Sequence, residues 1–114
     1  VKIDVEGAEY ATLQGAADTL ERLKPTILVE VSDRTLRHQG ASGSEVWDFL
    51  VQRGYTMQVF DRKTGFPSQG VKPSYFDSEN VIAIHNTKNR ALEHYVIDSG
   101  DGYPRGIWID LWPR

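Results

Sequence analysis

Residues 2–10 read Lys2-Ile3-Asp4-Val5-Glu6-Gly7-Ala8-Glu9-Tyr10, and this stretch decides how the rest of the chain is read. Val1 to Val5 is β-branched and alternates apolar residues with Lys2 and Asp4, the pattern of the last turn of a strand. Gly7 relaxes the backbone where the strand gives way to a helix. Three carboxylates, Asp4, Glu6 and Glu9, therefore fall at a strand-to-helix junction. In open α/β sheets ligands bind just beyond the carboxyl ends of the strands, so acids at such a junction are placed for chemistry. Val1 already lies inside the strand, so the expectation is the second half of a domain.

Outward from the junction, Leu13, Ala16, Ala17, Leu20 and Leu23 recur at three- and four-residue spacing and predict one helix over 8–23. Glu9 suits the positive end of its dipole, Arg22 and Lys24 the negative end, and Pro25 stops it. Gly15 inside a helix costs about 1 kcal/mol relative to Ala, which suggests close packing against a neighbour. Residues 26–31 form a short continuous apolar run ending near Glu30, as in a strand buried on both faces. Residues 32–43 are polar and read as a loop. Ser42 with Glu45 forms a candidate capping box, with Ser44 as a rival cap, for a helix whose inward stripe is Val46, Phe49 and Leu50 and which Gly54 ends. Residues 55–60 read as a third strand, 61–80 as a long exposed connection rich in Gly and Pro, and 81–85 as a fourth strand. The order β-α-β-α-β-loop-β implies right-handed crossovers and parallel neighbours, with the last strand antiparallel to the one before it. Residues 86–114 form an extension of uncertain structure, with one expected strand near 107–111.

Composition narrows the function classes. The 114 residues are one domain at most, with 39% hydrophobic and 25% charged residues and a formal charge of −3. No basic stripe is present to neutralise phosphates, so nucleic acid is not an expected partner. The chain has no Cys, hence no disulfide framework and no thiolate metal site. No apolar run is long enough to span a bilayer and no signal peptide is visible, so membrane association is not expected and the expected location is cytoplasmic.

With these elements in place, Lys2-Ile3-Asp4-Val5-Glu6-Gly7-Ala8-Glu9, the helical Leu13-Gln14-Gly15-Ala16 and the strand Lys24-Pro25-Thr26-Ile27-Leu28-Val29-Glu30-Val31 together resemble the FkbM-type S-adenosylmethionine-dependent methyltransferases. The resemblance is ordered and specific over 2–31, rests on element order over 44–85, and is absent beyond 86. It implies the C-terminal half of a class I methyltransferase (Rossmann-like) α/β sheet, mostly parallel with an antiparallel last strand. Residues 1–5 would then be its fourth strand, 26–31 its fifth, 55–60 its sixth and 81–85 its seventh, so that 1–85 is domain and 86–114 extension. It also implies S-adenosylmethionine as cofactor and an oxygen of a small-molecule or sugar acceptor as substrate, in the complete protein. The family's cofactor site lies mostly on the first three strands. Nothing here matches its Gly-rich turn, and Gly100-Asp101-Gly102 neither follows a strand nor opens a helix. No cofactor-binding residue is therefore assigned, and the chain alone is expected to be inactive.

Asp4 and Glu6, two apart in a strand, share a side and would face the acceptor, with Glu30 on the adjacent strand in support. A carboxylate can take the proton of an acceptor hydroxyl or hold a metal that lowers the hydroxyl's pKa. These three are the candidate catalytic residues; Glu9 and His38, on the same rim, are candidates for substrate contact. Competing readings make Glu6 and Glu9 caps of the helix start and His38 a solvated loop residue. His85 and His94 have no zinc-ligand spacing, and Asp98, Asp101 and Asp110 do not fit a calcium loop. No metal site is expected. Trp47 reads as packing, and Trp108, Trp112 and Tyr103 as cover for a sheet edge in preference to a substrate lid. An alternative from another class is a non-enzymatic, truncated α/β module that self-associates through an exposed strand edge.

Overall fold

The computed structural model of the chain describes residues 1–61 and 63–88. The expected strand near 107–111, the tryptophans at 108 and 112, and most of the C-terminal extension lie outside the described residues.

The chain builds an α/β layer in which five strands form one mixed sheet: β1 (Lys2–Ile3), β2 (Ile27–Val31), β3 (Tyr55–Phe60), β4 (Pro67–Gln69) and β5 (Glu79–His85). Their order across the sheet is β1-β2-β5-β3-β4. β1 and β2 are parallel, in the register Lys2 to Leu28 and Ile3 to Val29. β5 runs antiparallel to β2 on one side and to β3 on the other, and β4 is antiparallel to β3. The antiparallel last strand expected from sequence is present, but the sheet is mixed, not mostly parallel. Its position has a simple cause. Val81, Ile82, Ala83 and Ile84 are all buried, so β5 needs cover on both faces and neighbours on both edges, whereas Thr56 and Gln58 leave β3 half-exposed. β5 therefore enters between β2 and β3, which run in the same direction without touching.

Alternation along the strands separates two faces. Ile3, Ile27, Val29, Val31, Tyr55, Met57, Val81 and Ala83 pack against the helices as one core, with Leu13, Leu20, Leu36, Val46 and Leu50. Leu28, Ile82 and Ile84, with Phe60 beside them, form a smaller cluster on the opposite face. Four helices are described: α1 (Glu9–Gly15), α2 (Ala17–Leu23), α3 (Asp33–Arg37) and α4 (Gly43–Gln52).

The single helix expected over 8–23 is broken at Ala16, whose N–H is shared between the carbonyls of Thr12 and Leu13 at 3.0 and 3.1 Å. Leu13 and Leu20 reach the core, while Leu23 is 61% exposed and leaves the stripe. Gly15 has no atom within 4 Å of where a Cβ would stand, so close packing is not its role. α3 occupies what read as loop. The Ser42 cap forms as expected: its Oγ accepts the Glu45 N–H at 3.2 Å and meets the Glu45 carboxylate at 3.3 Å.

The connection 61–80 holds more structure than its composition suggests. The Asp61 carboxylate accepts the N–H groups of Lys63 (2.7 Å) and Thr64 (2.9 Å), closing a hairpin into β4. Those donors, Thr64 first, hold the Asp61 carboxyl below the usual carboxylate range. Pro67 is tolerated because β4, among the described residues, pairs only with β3. Phe76, only 1% exposed, drives into the core beside Trp47 and leaves no room for a side chain at Gly43.

Tyr55 ties the sheet to the turn after α2, its hydroxyl donating to the Pro25 carbonyl at 2.9 Å. Burial first, and the Glu21 charge second, push its phenol up to about 12. A raised acid pKa means the folded state favours the neutral phenol. This contribution to stability is complete below the unfolded value of about 10 and is lost as pH rises through about 12. In an ultraviolet phenolate titration, one of the five tyrosines is expected to ionise near the upper value and to vanish in Tyr55→Phe. Ionisation of Tyr55 at an ordinary tyrosine pH would refute this.

Candidate functional site

β1 ends at Ile3, and the backbone turns at once: Glu6 lies at φ 39° and Gly7 at φ 101°. A left-handed conformation at a non-glycine residue costs about 1–2 kcal/mol, so the turn is over-determined by its surroundings. The constraint is visible at Gly7. A Cβ there would lie 2.5 Å from the Thr35 carbonyl oxygen of α3. Gly7→Ala combines that collision with an unfavourable φ and is expected to destabilise the fold by at least about 2 kcal/mol in urea denaturation. A change within experimental error would show that α3 does not back this turn.

Because the turn has begun, Asp4 and Glu6 do not sit as neighbours on one strand face. They nevertheless meet around one hollow. About 170 Å³ in volume, it is lined by Asp4, Glu6, Glu9 and Glu30 with Ser32 and Arg34. A larger cleft of about 440 Å³ adjoins it on the sheet face opposite the helices, walled by Lys2, Asp4, Glu30, Phe60, Asp61 and Asn80. Asp4, Glu30 and Ser78 line both. The geometry follows from strand register: Lys2, Leu28 and Glu30 share the second sheet face, and Glu30 stands opposite Asn80.

The acids differ in state. Asp4 and Glu6 are exposed, Glu30 is half-buried, and among the described residues none of the three carboxylates is hydrogen-bonded or ion-paired. Glu9 is 2% exposed, and its Oε2 accepts the Gly7 N–H at 2.8 Å, so it braces the turn from inside. His38 is exposed at the C-terminal end of α3 and lines neither cavity. The structure thus brings together Asp4, Glu6, Glu9 and Glu30 and leaves His38 apart.

Several site residues escaped the sequence reading. Ser32 follows the second strand directly, and the rule that placed Glu30 at a carboxyl end could have found it. Arg34 was hidden by reading α3 as loop. Ser78 is distant in sequence and reaches the rim only because β5 enters beside β2. Asp33 holds these parts in place: its Oδ1 accepts the Gly43 N–H at 2.7 Å, its Oδ2 accepts the Phe76 N–H at 2.6 Å, and its own N–H donates to the Phe76 carbonyl at 2.8 Å.

Among the described residues, no group of three or more His, Asp and Glu side chains is arranged to hold a metal ion, and no helix is long and apolar enough to cross a membrane. Residues 1–57, which contain β1, β2, all four helices and the acidic rim, match the model of the methyltransferase FkbM domain. The chain belongs to the FkbM methyltransferase family. No curated protein and no solved structure matches it. Family membership places its chemistry in methyl transfer, and the FkbM match ends inside β3, so the larger cleft is built partly from residues beyond it.

Proposed function

We propose that this FkbM chain forms the acceptor side of an S-adenosylmethionine-dependent methyltransferase that methylates an oxygen of a small-molecule or sugar acceptor. The observation that carries the reading is the convergence of Asp4, Glu6 and Glu30 on one hollow at the carboxyl ends of two adjacent parallel strands. There Glu6 and Glu30 can accept hydrogen bonds from the other donor groups of the acceptor and so turn its reacting hydroxyl towards Asp4. Asp4, common to both cavities, takes the hydroxyl proton as the oxygen becomes nucleophilic.

In this reading the sheet corresponds to the fourth to seventh strands of the family fold, the donor is held by strands outside it, and the complete protein acts in the cytoplasm. The test is transfer of a labelled methyl group from S-adenosylmethionine to a panel of hydroxylated sugars and small alcohols by the complete protein. Label on an acceptor oxygen is expected; label only on nitrogen or carbon would overturn the reading.

A second reading rests on β1, which among the described residues pairs only with β2. As a non-catalytic module the chain would self-associate along that edge. Sedimentation showing a stable dimer, together with no transfer by the complete protein, would favour it.

A further inference from the structure

The smaller hollow carries two polar groups that the proposed proton transfer does not use. Ser32 is 6% exposed, and its hydroxyl neither caps α3 nor meets any other partner among the described residues. Glu9 is 2% exposed; Oε2 is taken by the Gly7 N–H, and Oε1 has no partner among the described residues. Buried polar groups are ordinarily hydrogen-bonded, and a carboxylate oxygen can only accept. Both side chains line the same hollow, beside the carboxylates of Asp4, Glu6 and Glu30. Against these four acids stands one guanidinium, Arg34, which is exposed and ion-paired to none of them.

From this we infer that the hollow is a binding pocket for a primary ammonium group, and that the acceptor is therefore an amine-bearing, hydroxylated molecule, not a neutral or anionic one. An ammonium brings three donors and no acceptor, which matches a lining of carboxylate oxygens, and its charge offsets theirs. A hydroxyl alone has one proton for these carboxylates and no charge to offset theirs, and a phosphate or carboxylate would be repelled. The dimensions agree. A volume of about 170 Å³ suits a small head group, and the shared wall of Asp4, Glu30 and Ser78 opens into the cleft of about 440 Å³, where Phe60 offers an apolar surface to the body of the molecule. The inference rests on the acceptor-site reading only in naming the ligand an acceptor.

The test is a nuclear magnetic resonance titration of the protein with glucosamine, glucose and glucuronate, three molecules of one scaffold and different charge. The reporters are the backbone amides of Gly7, whose N–H meets Glu9, and of Ser32. Glucosamine is expected to shift both saturably in the millimolar range, to lose affinity as salt is raised, and to bind about tenfold more weakly to Glu6→Gln. Ser32→Ala, which removes no charge and fits the same backbone, is expected to weaken it several-fold. Equal responses to glucosamine and glucose, no saturable response to glucosamine, or the same shifts with calcium chloride would each overturn the inference. Glucosamine binding together with unimpaired transfer by Asp4→Asn would remove the catalytic reading and leave the amine pocket standing.

Discussion

Asp4→Asn is expected to lower the turnover of the complete protein by about 10²–10⁴-fold while leaving its stability within about 0.5 kcal/mol of wild type. The two halves of this expectation have separate grounds. Asp4 is exposed and, among the described residues, its carboxylate makes no hydrogen bond or ion pair, so the fold loses nothing when its charge goes. It also lines both cavities at the rim, where the proposed reading has an acceptor hydroxyl give up its proton, and Asn keeps the shape without the basicity. On the same reading Glu30→Gln and Glu6→Gln each take the charge from one hydrogen bond to the acceptor and are expected to cost about tenfold in kcat/KM. Turnover unchanged in Asp4→Asn would make the rim acids structural. A loss of turnover matched by a loss of folded protein would say the same.

Phe76→Ala is expected to destabilise the chain by about 3–5 kcal/mol, the range for a fully buried aromatic. The ring is 1% exposed, lies 6.0 Å from Trp47 between ring centres, and covers Gly43 at the start of α4. Its backbone N–H and carbonyl are both taken by Asp33, so side chain and main chain anchor the same strap. Asp33→Ala leaves the N–H groups of Gly43 and Phe76 without their acceptor and is expected to cost about 1–3 kcal/mol. A typical domain has about 5–15 kcal/mol in all, so either change consumes much of the margin. Urea unfolding measures both. A cost below about 1 kcal/mol for Phe76→Ala would show that the strap is not part of the core.

How much of this was legible in the sequence varied with the source of each feature. Strand 55–60 agrees to the residue, because buried Tyr55 and Met57 alternate with half-exposed Thr56 and Gln58. The helix of 43–52 was readable from its Ser42 cap, its apolar stripe and Gly54, which takes up φ 86° just after it. By contrast, α3 is five residues long with Leu36 as its only buried residue, too little for a period to show. β4 is three residues containing Pro67, and its pairing is set by the Asp61 turn, not by hydrophobic pattern. Phe76 looked like part of an exposed loop because its core contacts come from α4, far away in sequence.

The site divides in the same way. Asp4, Glu6, Glu9 and Glu30 were visible because each lies at or just beyond the end of a strand, where the rule for α/β sheets places chemistry. The left-handed turn at Glu6 was not visible, since no local pattern demands it at a glutamate. Ser32 and Ser78 enter the site through strand order. The insertion of β5 beside β2 is a property of the whole sheet and leaves no mark at either serine.

The most direct measurement is calorimetric titration of S-adenosylmethionine into this chain and, side by side, into the longer protein carrying strands one to three of the family fold. Micromolar binding by the longer protein and none by this chain is the expected result, because the proposed reading gives the rim to the acceptor and the donor to strands one to three. Micromolar binding by this chain alone, or no binding by either protein, would contradict it.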